Sequence, residues 1–198
     1  MKRTALVHDR VFSGEFAADY ARKHGKIAEK FGREIAATLA ARDLEAGRIL
    51  DAGCGFGTTA IVLAQSLAGS EVVGIDLSEP LLDLAVQAAQ EAGLAGRVTF
   101  ERADVGQIPY DDGAFQAVVN VQMLHIVEAP VAMLNELERV LAPGGFLFMA
   151  DIRRSWVGLL DKVFRSGLTV KEARALIRRS RLRAGAFSSD LLWWRYQA

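Results

Sequence analysis

Short β-rich runs alternate with longer helical patterns across residues 48–151 of this sequence. The β-rich runs are 48–52, 71–76, 97–101, 115–121 and 145–151, and the helical patterns between them are 58–68, 78–92 and 130–141. Apolar strands that alternate with helices are typical of a parallel sheet that is covered on both faces. We therefore predict an α/β, doubly wound fold.

The segment before this alternation is predicted to be a helix over residues 9–44. Phe12, Phe16, Tyr20 and His24 follow one another at spacings of four, so they share one helical face. A face of this kind usually packs on the rest of the domain.

The segment after the alternation is predicted to contain two helices and two short strands. Residues 156–164 have the apolar spacing of a one-sided helix, and a capping-box sequence that begins at Thr169 starts a helix that runs to about Ser180. The β candidates are 183–187 and 191–196. We predict a single domain over residues 1–198, with an N-terminal helical cap (1–46), a ligand-binding core (47–151) and a C-terminal part (152–198).

The composition and charge argue against several classes of function. The 198 residues fit one domain, and 24 basic and 24 acidic side chains give a formal net charge of zero. The chain as a whole therefore has no long-range attraction to nucleic acid or to an anionic membrane. The N-terminus lacks the apolar core of a signal peptide, and no run reaches the roughly 18 apolar residues of a spanning helix, so we expect a cytoplasmic protein. With Cys54 as the one cysteine and three scattered histidines, no metal centre is expected.

The most informative segment is the predicted strand-to-helix turn that contains Gly53, Gly55 and Gly57. Glycine accepts positive φ and lets the backbone approach a ligand closely, and open α/β sheets bind ligands beyond the strand ends. Asp51, two residues before the first glycine, would repel a pyrophosphate but attract a cationic amine. The turn therefore favours a cofactor with an ammonium group, and an NAD-dependent oxidoreductase is the weaker alternative.

Two further acids are predicted at the same edge of the sheet. Asp76 ends the second β-rich run, 19 residues after Gly57, where an acid suits the ribose hydroxyls of a nucleotide. An acid at this position also argues against a 2′-phosphate. Asp104 follows the third run.

Five segments in chain order carry a further signal. They are the loop 51–57, Val73-Gly74-Ile75-Asp76 with Leu77-Ser78, Ala103-Asp104 before Ile108-Pro109-Tyr110, the run 115–120, and Glu138-Arg139-Val140-Leu141-Ala142-Pro143-Gly144-Gly145. Together these segments resemble class I S-adenosylmethionine-dependent methyltransferases, most closely the small-molecule group often called type 11. The resemblance covers residues 48–151 and implies a seven-stranded sheet with a reversed last strand.

The resemblance implies which residues would hold the methionine part of S-adenosylmethionine. Gly53 and Gly55, with Cys54 between them, would approach this part, and Asp51 would lie near its amine. The backbone carbonyl of Asn120 would face the same amine. For the Cys54 side chain itself, packing is favoured over a catalytic thiol.

The resemblance also implies the contacts of the adenosine part. Asp76 would bind the ribose hydroxyls, and Leu77 would pack on the adenine. Asp104 would accept a hydrogen bond from the adenine amino group, while the Val105 amide would meet a ring nitrogen.

The implied reaction is the in-line transfer of a methyl group to a small-molecule acceptor, for which orientation of the reactants is the main requirement. A general base is needed only where the acceptor must lose a proton. His125 and Tyr20 are the candidate catalytic residues, and His24 is a further candidate base. A structural role for His125 is an equal alternative. The helix that carries Tyr20 is either a lid over the cofactor or simply packed on the sheet.

Two other functions stay open. The acceptor could be RNA or protein. The sequence has one basic cluster, Arg174, Arg178, Arg179, Arg181 and Arg183, which we interpret as a solvated helix face. The chain could also be a non-catalytic S-adenosylmethionine-binding module. The sequence predicts neither the acceptor, nor the methylated atom, nor the oligomeric state.

Overall fold

A seven-stranded sheet with helices on both faces forms the fold in a computed structural model, which describes residues 14–44, 46–156 and 162–198. The strands are β1 (Ala46–Ala52), β2 (Gly69–Asp76), β3 (Val98–Arg102), β4 (Phe115–Val121), β5 (Leu141–Ile152), β6 (Ala186–Ser189) and β7 (Trp193–Gln197). The helices are α1 (Gly14–Ala40), α2 (Thr58–Ser66), α3 (Glu79–Glu91), α4 (Pro130–Val140), α5 (Lys162–Ser166) and α6 (Val170–Arg179).

The strand order is β3-β2-β1-β4-β5-β7-β6. Strands β1 to β5 pair in parallel, whereas β7 runs antiparallel to both of its neighbours, β5 and β6. This arrangement confirms the predicted α/β fold with a reversed last strand. The order changes direction at β1 and β4, and a crevice opens at the carboxyl ends of strands where such a switch occurs.

The two faces of the sheet are buried by different helices. On one face, apolar residues of α4 and α6, such as Leu134 and Ala173, pack on β4, β5 and β7. On the other face, Phe31 of α1 and Leu63 of α2 join the same core as β1 and β2. An ion pair between Arg195 Nε and Glu34 Oε1, 2.7 Å apart, also links α1 to β7. The N-terminal helix is therefore anchored on the sheet rather than separate from it.

Several predicted boundaries move by a few residues. Helix α1 ends at Ala40 rather than at residue 44, and the turn that follows contains Asp43 with a positive φ of 56°. Strand β5 begins at Leu141 rather than at 145 because Leu141 pairs with Phe115 before an irregularity in the ladder. The last two strands, 186–189 and 193–197, begin later than predicted.

Of the two helices predicted in the C-terminal part, the one that starts at Thr169 is confirmed as α6, and the other is only partly described. The capping box at the start of α6 is formed, because Thr169 Oγ1 accepts a hydrogen bond from the Glu172 N–H and the Glu172 side chain accepts one from the Thr169 N–H. Of the one-sided helix predicted over 156–164, residues 157–161 lie outside the described residues, as does Phe12 of the N-terminal face. Within the described part of the chain, no helix has both the length and the apolar character needed to cross a membrane.

Candidate functional site

The turn between β1 and α2 is built around three glycines with positive φ: Gly53 (79°), Gly55 (52°) and Gly57 (77°). A Cβ atom at Gly53 would lie 2.3 Å from Met123 Cγ, and one at Gly57 would lie 2.6 Å from the Phe100 ring. A Cβ at Gly55 would meet nothing within 4 Å. Packing thus requires glycine at the first and third positions, whereas the second faces open space at the carboxyl end of β1.

Asp76 fixes this turn to the end of β2. Its Oδ2 accepts a hydrogen bond from the Gly55 N–H and its Oδ1 accepts one from the Ser78 N–H, both at 2.9 Å. Burial raises the pKa of Asp76, while backbone N–H groups, first that of Ser78, oppose the shift. A carboxylate has lone pairs for more than two donors, so Asp76 can also accept hydrogen bonds from ligand hydroxyls.

Asp51 is a buried acid whose charge is not compensated. Only 2% of the residue is exposed, and its Oδ2 has no hydrogen-bond partner within the described structure. Burial, followed by the negative charge of Asp76, raises the pKa of Asp51 to about 7, although a backbone hydrogen bond from Ala60 opposes this. A buried carboxylate without a partner is costly. The site therefore suits a ligand that brings a positive charge to Asp51.

The residues predicted to bind adenine lie at the neighbouring strand ends. Leu77 follows β2, and 44% of the residue is exposed. Asp104 is exposed, and its Oδ1 accepts a hydrogen bond from the Gly106 N–H at 2.7 Å. Val105 is buried. An exposed apolar side chain and an exposed carboxylate can contact the face and the edge of a heterocycle, respectively.

Two of the predicted site residues, Asn120 and Cys54, have side chains that contact other parts of the protein. Asn120 is buried, and its Nδ2 donates to the Ala52 carbonyl at 2.8 Å, which ties β4 to β1. The thiol of Cys54 lies against Gly74, where an added Cβ would be 2.8 Å from the sulfur. Burial, then the charges of nearby acids, raises the pKa of Cys54 well above its ordinary value. The side chains of both residues therefore pack inside the protein.

His125 lies just beyond β4 and is held by Asp151 near the end of β5. The His125 N–H donates to Asp151 Oδ2 at 2.8 Å, and His125 Nδ1 lies 2.7 Å from Asp151 Oδ1. Both residues are buried, with 6% and 1% exposed. With Nδ1–H donating to the carboxylate, the basic lone pair of the imidazole is on Nε2.

Tyr20 of α1 reaches this edge of the sheet. Its ring lies 4.3 Å from the His24 ring and contacts Phe56 of the glycine turn edge-on at 5.9 Å, measured between ring centroids. Burial raises the pKa of Tyr20 to about 12, with further contributions from the charges of Asp76 and Asp151. The negative charges of Asp76 and Asp151, at the ends of β2 and β5, thus both act on the phenol. With its raised pKa, the neutral phenol is a poor base. Helix α1 is thus both packed on the sheet and in contact with the glycine turn.

Sequence reasoning missed Asp151, Phe56 and Met123 as parts of this site. The signal for Asp151 was present, since it is an acid near the end of a predicted strand, as are Asp51 and Asp76. The contact of Met123 with Gly53 and that of Phe56 with Tyr20 depend on the tertiary structure and have no local sequence signal.

Comparison with known proteins identifies a methyltransferase family. A family model described as a methyltransferase domain matches residues 49–145, about half of the chain. Methyltransferase GfsG of Streptomyces halstedii is 36% identical over 138 residues, which are 68% of this chain and 49% of that protein. The fatty-acid O-methyltransferase of Mycolicibacterium smegmatis is 34% identical over 116 residues, which are 59% of this chain and 41% of that protein. The chain therefore spans about half of the length of these relatives, or less.

Solved structures show the same fold. The [4+2]-cyclase SpnF is 35% identical, with a TM-score of 0.57 over 63% of this chain and 46% of that chain. A protein from Methanococcus maripaludis is 17% identical but matches 100% of this chain and 95% of its own, with a TM-score of 0.79.

The sheet topology, the glycine turn with its acids and the matched domain define a Rossmann-like methyltransferase domain. The chain belongs to the class I S-adenosylmethionine-dependent methyltransferases, as the resemblance of its motifs implied.

Proposed function

We propose that this chain is an S-adenosylmethionine-dependent methyltransferase that acts on a small, partly apolar molecule. The observation that carries the proposal is the unpartnered carboxylate oxygen of buried Asp51, next to the open space at Gly55. An ammonium group at this place would supply the missing charge and hydrogen bond. The amine of S-adenosylmethionine fits this requirement, whereas a pyrophosphate would be repelled.

The remaining cofactor contacts follow from the same edge of the sheet. Asp76, already fixed by Gly55 and Ser78, would accept hydrogen bonds from the ribose hydroxyls. Exposed Leu77 and Asp104 would contact the adenine face and its amino group. When bound, S-adenosylmethionine supplies an electrophilic methyl group on a positively charged sulfur. The protein then has to bind, orient and keep dry the two reactants.

His125 is the residue best placed to remove a proton from the acceptor. Asp151 fixes its orientation through Nδ1, so that Nε2 can take the proton of a hydroxyl or a protonated amine. Tyr20 keeps its proton at neutral pH, as an ordinary phenol does, and burial raises its pKa further, to about 12. We therefore assign Tyr20 to the roof of the site, together with Phe56, where the rings exclude water.

The acceptor class is supported by similarity and by charge. One relative is a fatty-acid O-methyltransferase, which agrees with an acceptor that has an apolar body. In the basic cluster, Arg183 is paired with Glu138 and Arg174 lies over the Phe187 ring. Two of the arginines are thus engaged with the protein, which supports a small molecule rather than RNA. Activity in the cytoplasm remains part of this proposal.

The first experiment measures cofactor binding. Isothermal titration with S-adenosylhomocysteine and with NADH is done on the wild type, on Asp76→Ala and on Asp111→Asn, which changes an exposed acid away from the turn. We expect the wild type and Asp111→Asn to bind S-adenosylhomocysteine, and Asp76→Ala to lose most of this affinity. Binding of NADH alone would contradict the proposal.

The second experiment measures methyl transfer from S-adenosylmethionine with a labelled methyl group. The acceptor panel is decanoic acid, 4-hexylphenol and geraniol, beside a lipid extract of bacterial cells. Incorporation of label into a small molecule supports the proposal, and incorporation only into RNA or protein overturns the acceptor class.

A second function is favoured by one observation. SpnF, at 35% identity, is described as a [4+2]-cyclase rather than a methyltransferase. Tight binding of S-adenosylhomocysteine without methyl transfer to any acceptor would favour a role of this kind, in which the domain binds its cofactor but does not transfer the methyl group.

A further inference from the structure

Gln122 has a backbone conformation that L-amino acids seldom adopt. Its φ is +60°, and Asp43 is the only other non-glycine residue with positive φ in the described part of the chain. Glycine adopts this conformation without steric cost, and residues that keep a strained backbone cluster at functional sites. A glutamine at a position suited to glycine indicates that its side chain has a use.

The strained residue lies between the two halves of the site. Gln122 directly follows β4, and its N–H donates to the Ala150 carbonyl at 2.8 Å. The next residue, Met123, packs on Gly53 of the cofactor turn. His125, three residues after Gln122, binds Asp151. The left-handed turn at Gln122 thus leads the chain from the end of β4, past Gly53, to the candidate base His125.

The carboxamide of Gln122 is available for a ligand. The side chain is partly buried, and no hydrogen bond joins it to any residue that the structure describes. A carboxamide has both N–H donors and an oxygen acceptor, which match the oxygen of a hydroxyl or carboxyl group. Asp51 and Asp76 already provide polar contacts on the β1–β2 side, whereas Gln122 lies on the β4–β5 side, with His125.

We propose that Gln122 is a specificity-determining residue, whose carboxamide binds an oxygen atom of the methyl acceptor next to His125. This inference rests on the proposed function. It assigns the acceptor to oxygen-bearing molecules with an apolar body, such as carboxylic acids, phenols and alcohols. Binding by Gln122 orients the acceptor, while the proton goes to His125.

The test uses the whole chain with three variants. Gln122→Gly keeps the backbone conformation and removes the carboxamide, and Gln122→Glu keeps the length but removes the N–H donors. Asp43→Gly is the matched control because it relieves the same kind of backbone strain outside the site. Each protein is measured by thermal unfolding, by titration with S-adenosylhomocysteine, and by titration of its S-adenosylhomocysteine complex with decanoic acid and with 4-hexylphenol.

We expect Gln122→Gly and Asp43→Gly to unfold within about 2 °C of the wild type, because relief of strain offsets the added freedom of the unfolded chain. Affinity for S-adenosylhomocysteine should change less than about twofold in every variant. Gln122→Gly should weaken binding of the better probe by about tenfold, as expected for one lost hydrogen bond, and Asp43→Gly should not.

Four results would overturn the inference. A large fall in the unfolding temperature of Gln122→Gly would make Gln122 a structural residue. Loss of S-adenosylhomocysteine affinity in Gln122→Gly would show that Gln122 contacts the cofactor. Unchanged binding of the probes by Gln122→Gly, or no binding of either probe by the wild-type complex, would contradict the assigned acceptor. By contrast, a wild-type protein that does not bind S-adenosylhomocysteine would contradict the proposed function itself.

Discussion

Asp151 holds His125 at two points, with one carboxylate oxygen on the backbone N–H and the other 2.7 Å from Nδ1. A third N–H, that of Ile152, donates to the same carboxylate at 2.6 Å. The carboxylate thereby joins the loop after β4 to the end of β5 and fixes the imidazole in one orientation. Removal of the histidine and removal of the carboxylate should therefore have different effects.

His125→Ala should abolish most methyl transfer without weakening cofactor binding. Loss of a general base lowers kcat by about 10²–10⁴-fold. Because the His125 side chain is not among the contacts predicted for the cofactor, the dissociation constant of S-adenosylhomocysteine should stay within about twofold of the wild type. Initial rates with labelled S-adenosylmethionine and isothermal titration measure the two quantities. His24→Ala, on α1, is the control, and an equal loss of rate in that variant would argue against His125 as the base.

Asp151→Asn should lower both activity and stability. The amide keeps one acceptor oxygen but leaves at least one buried N–H without a partner, which costs about 1–3 kcal/mol of unfolding free energy. The misoriented imidazole should also lower kcat. Urea unfolding and initial rates check this prediction. Full activity in Asp151→Asn would show that the carboxylate is structural only.

Asp51 should make the stability of the ligand-free protein depend on pH. Its pKa is raised to about 7, above the value of about 3.9 expected in the unfolded chain. The folded state therefore binds the extra proton, so this contribution to stability is complete below about pH 4 and is lost as the pH rises through 7. Relative to Asp51→Asn, which lacks the titration, the wild type should lose on the order of 2–4 kcal/mol between pH 4 and pH 8. Urea unfolding of both proteins across this range measures the difference, and parallel pH curves would contradict it.

Cofactor binding should release a proton from Asp51. An ammonium group beside the carboxylate lowers the pKa, so a protein that is partly protonated near pH 7 becomes ionised on binding. Isothermal titration with S-adenosylhomocysteine in phosphate and in Tris, whose ionisation enthalpies differ, gives the number of protons released. We expect about half a proton at pH 7 for the wild type and none for Asp51→Asn.

Sequence reasoning predicted the fold well because its evidence is local. The strand-to-helix turns, the glycine frame and the capping box at Thr169 each depend on neighbouring residues, and all of them form as expected. The end of α1 was placed too late, because the positive φ at Asp43 is set by the turn and not by the helical pattern.

The site was predicted less completely because part of it depends on distant residues. Asp51 and Asp76 lie at the ends of two paired parallel strands, as their predicted place at one edge of the sheet implies. The pairing of His125 with Asp151 depends on how the loop after β4 turns back to β5, and nothing in either segment encodes that pairing. Likewise, the strain at Gln122 is a backbone property that no residue pattern reveals.

Gly55→Ala should separate two reasons for a glycine at the cofactor turn: its positive φ, and the space that it leaves for the cofactor. Gly55 and Gly93 both have positive φ, 52° and 69°, and an added Cβ at either meets nothing within 4 Å, so Gly93→Ala is a matched control at the end of α3. Each substitution should cost about 1 kcal/mol of unfolding free energy from backbone strain alone. Only Gly55→Ala should weaken S-adenosylhomocysteine binding, by at least about tenfold, because its methyl group enters the space proposed for the cofactor. Urea unfolding and isothermal titration of both variants test this, and equal cofactor affinity in the two would place the cofactor elsewhere.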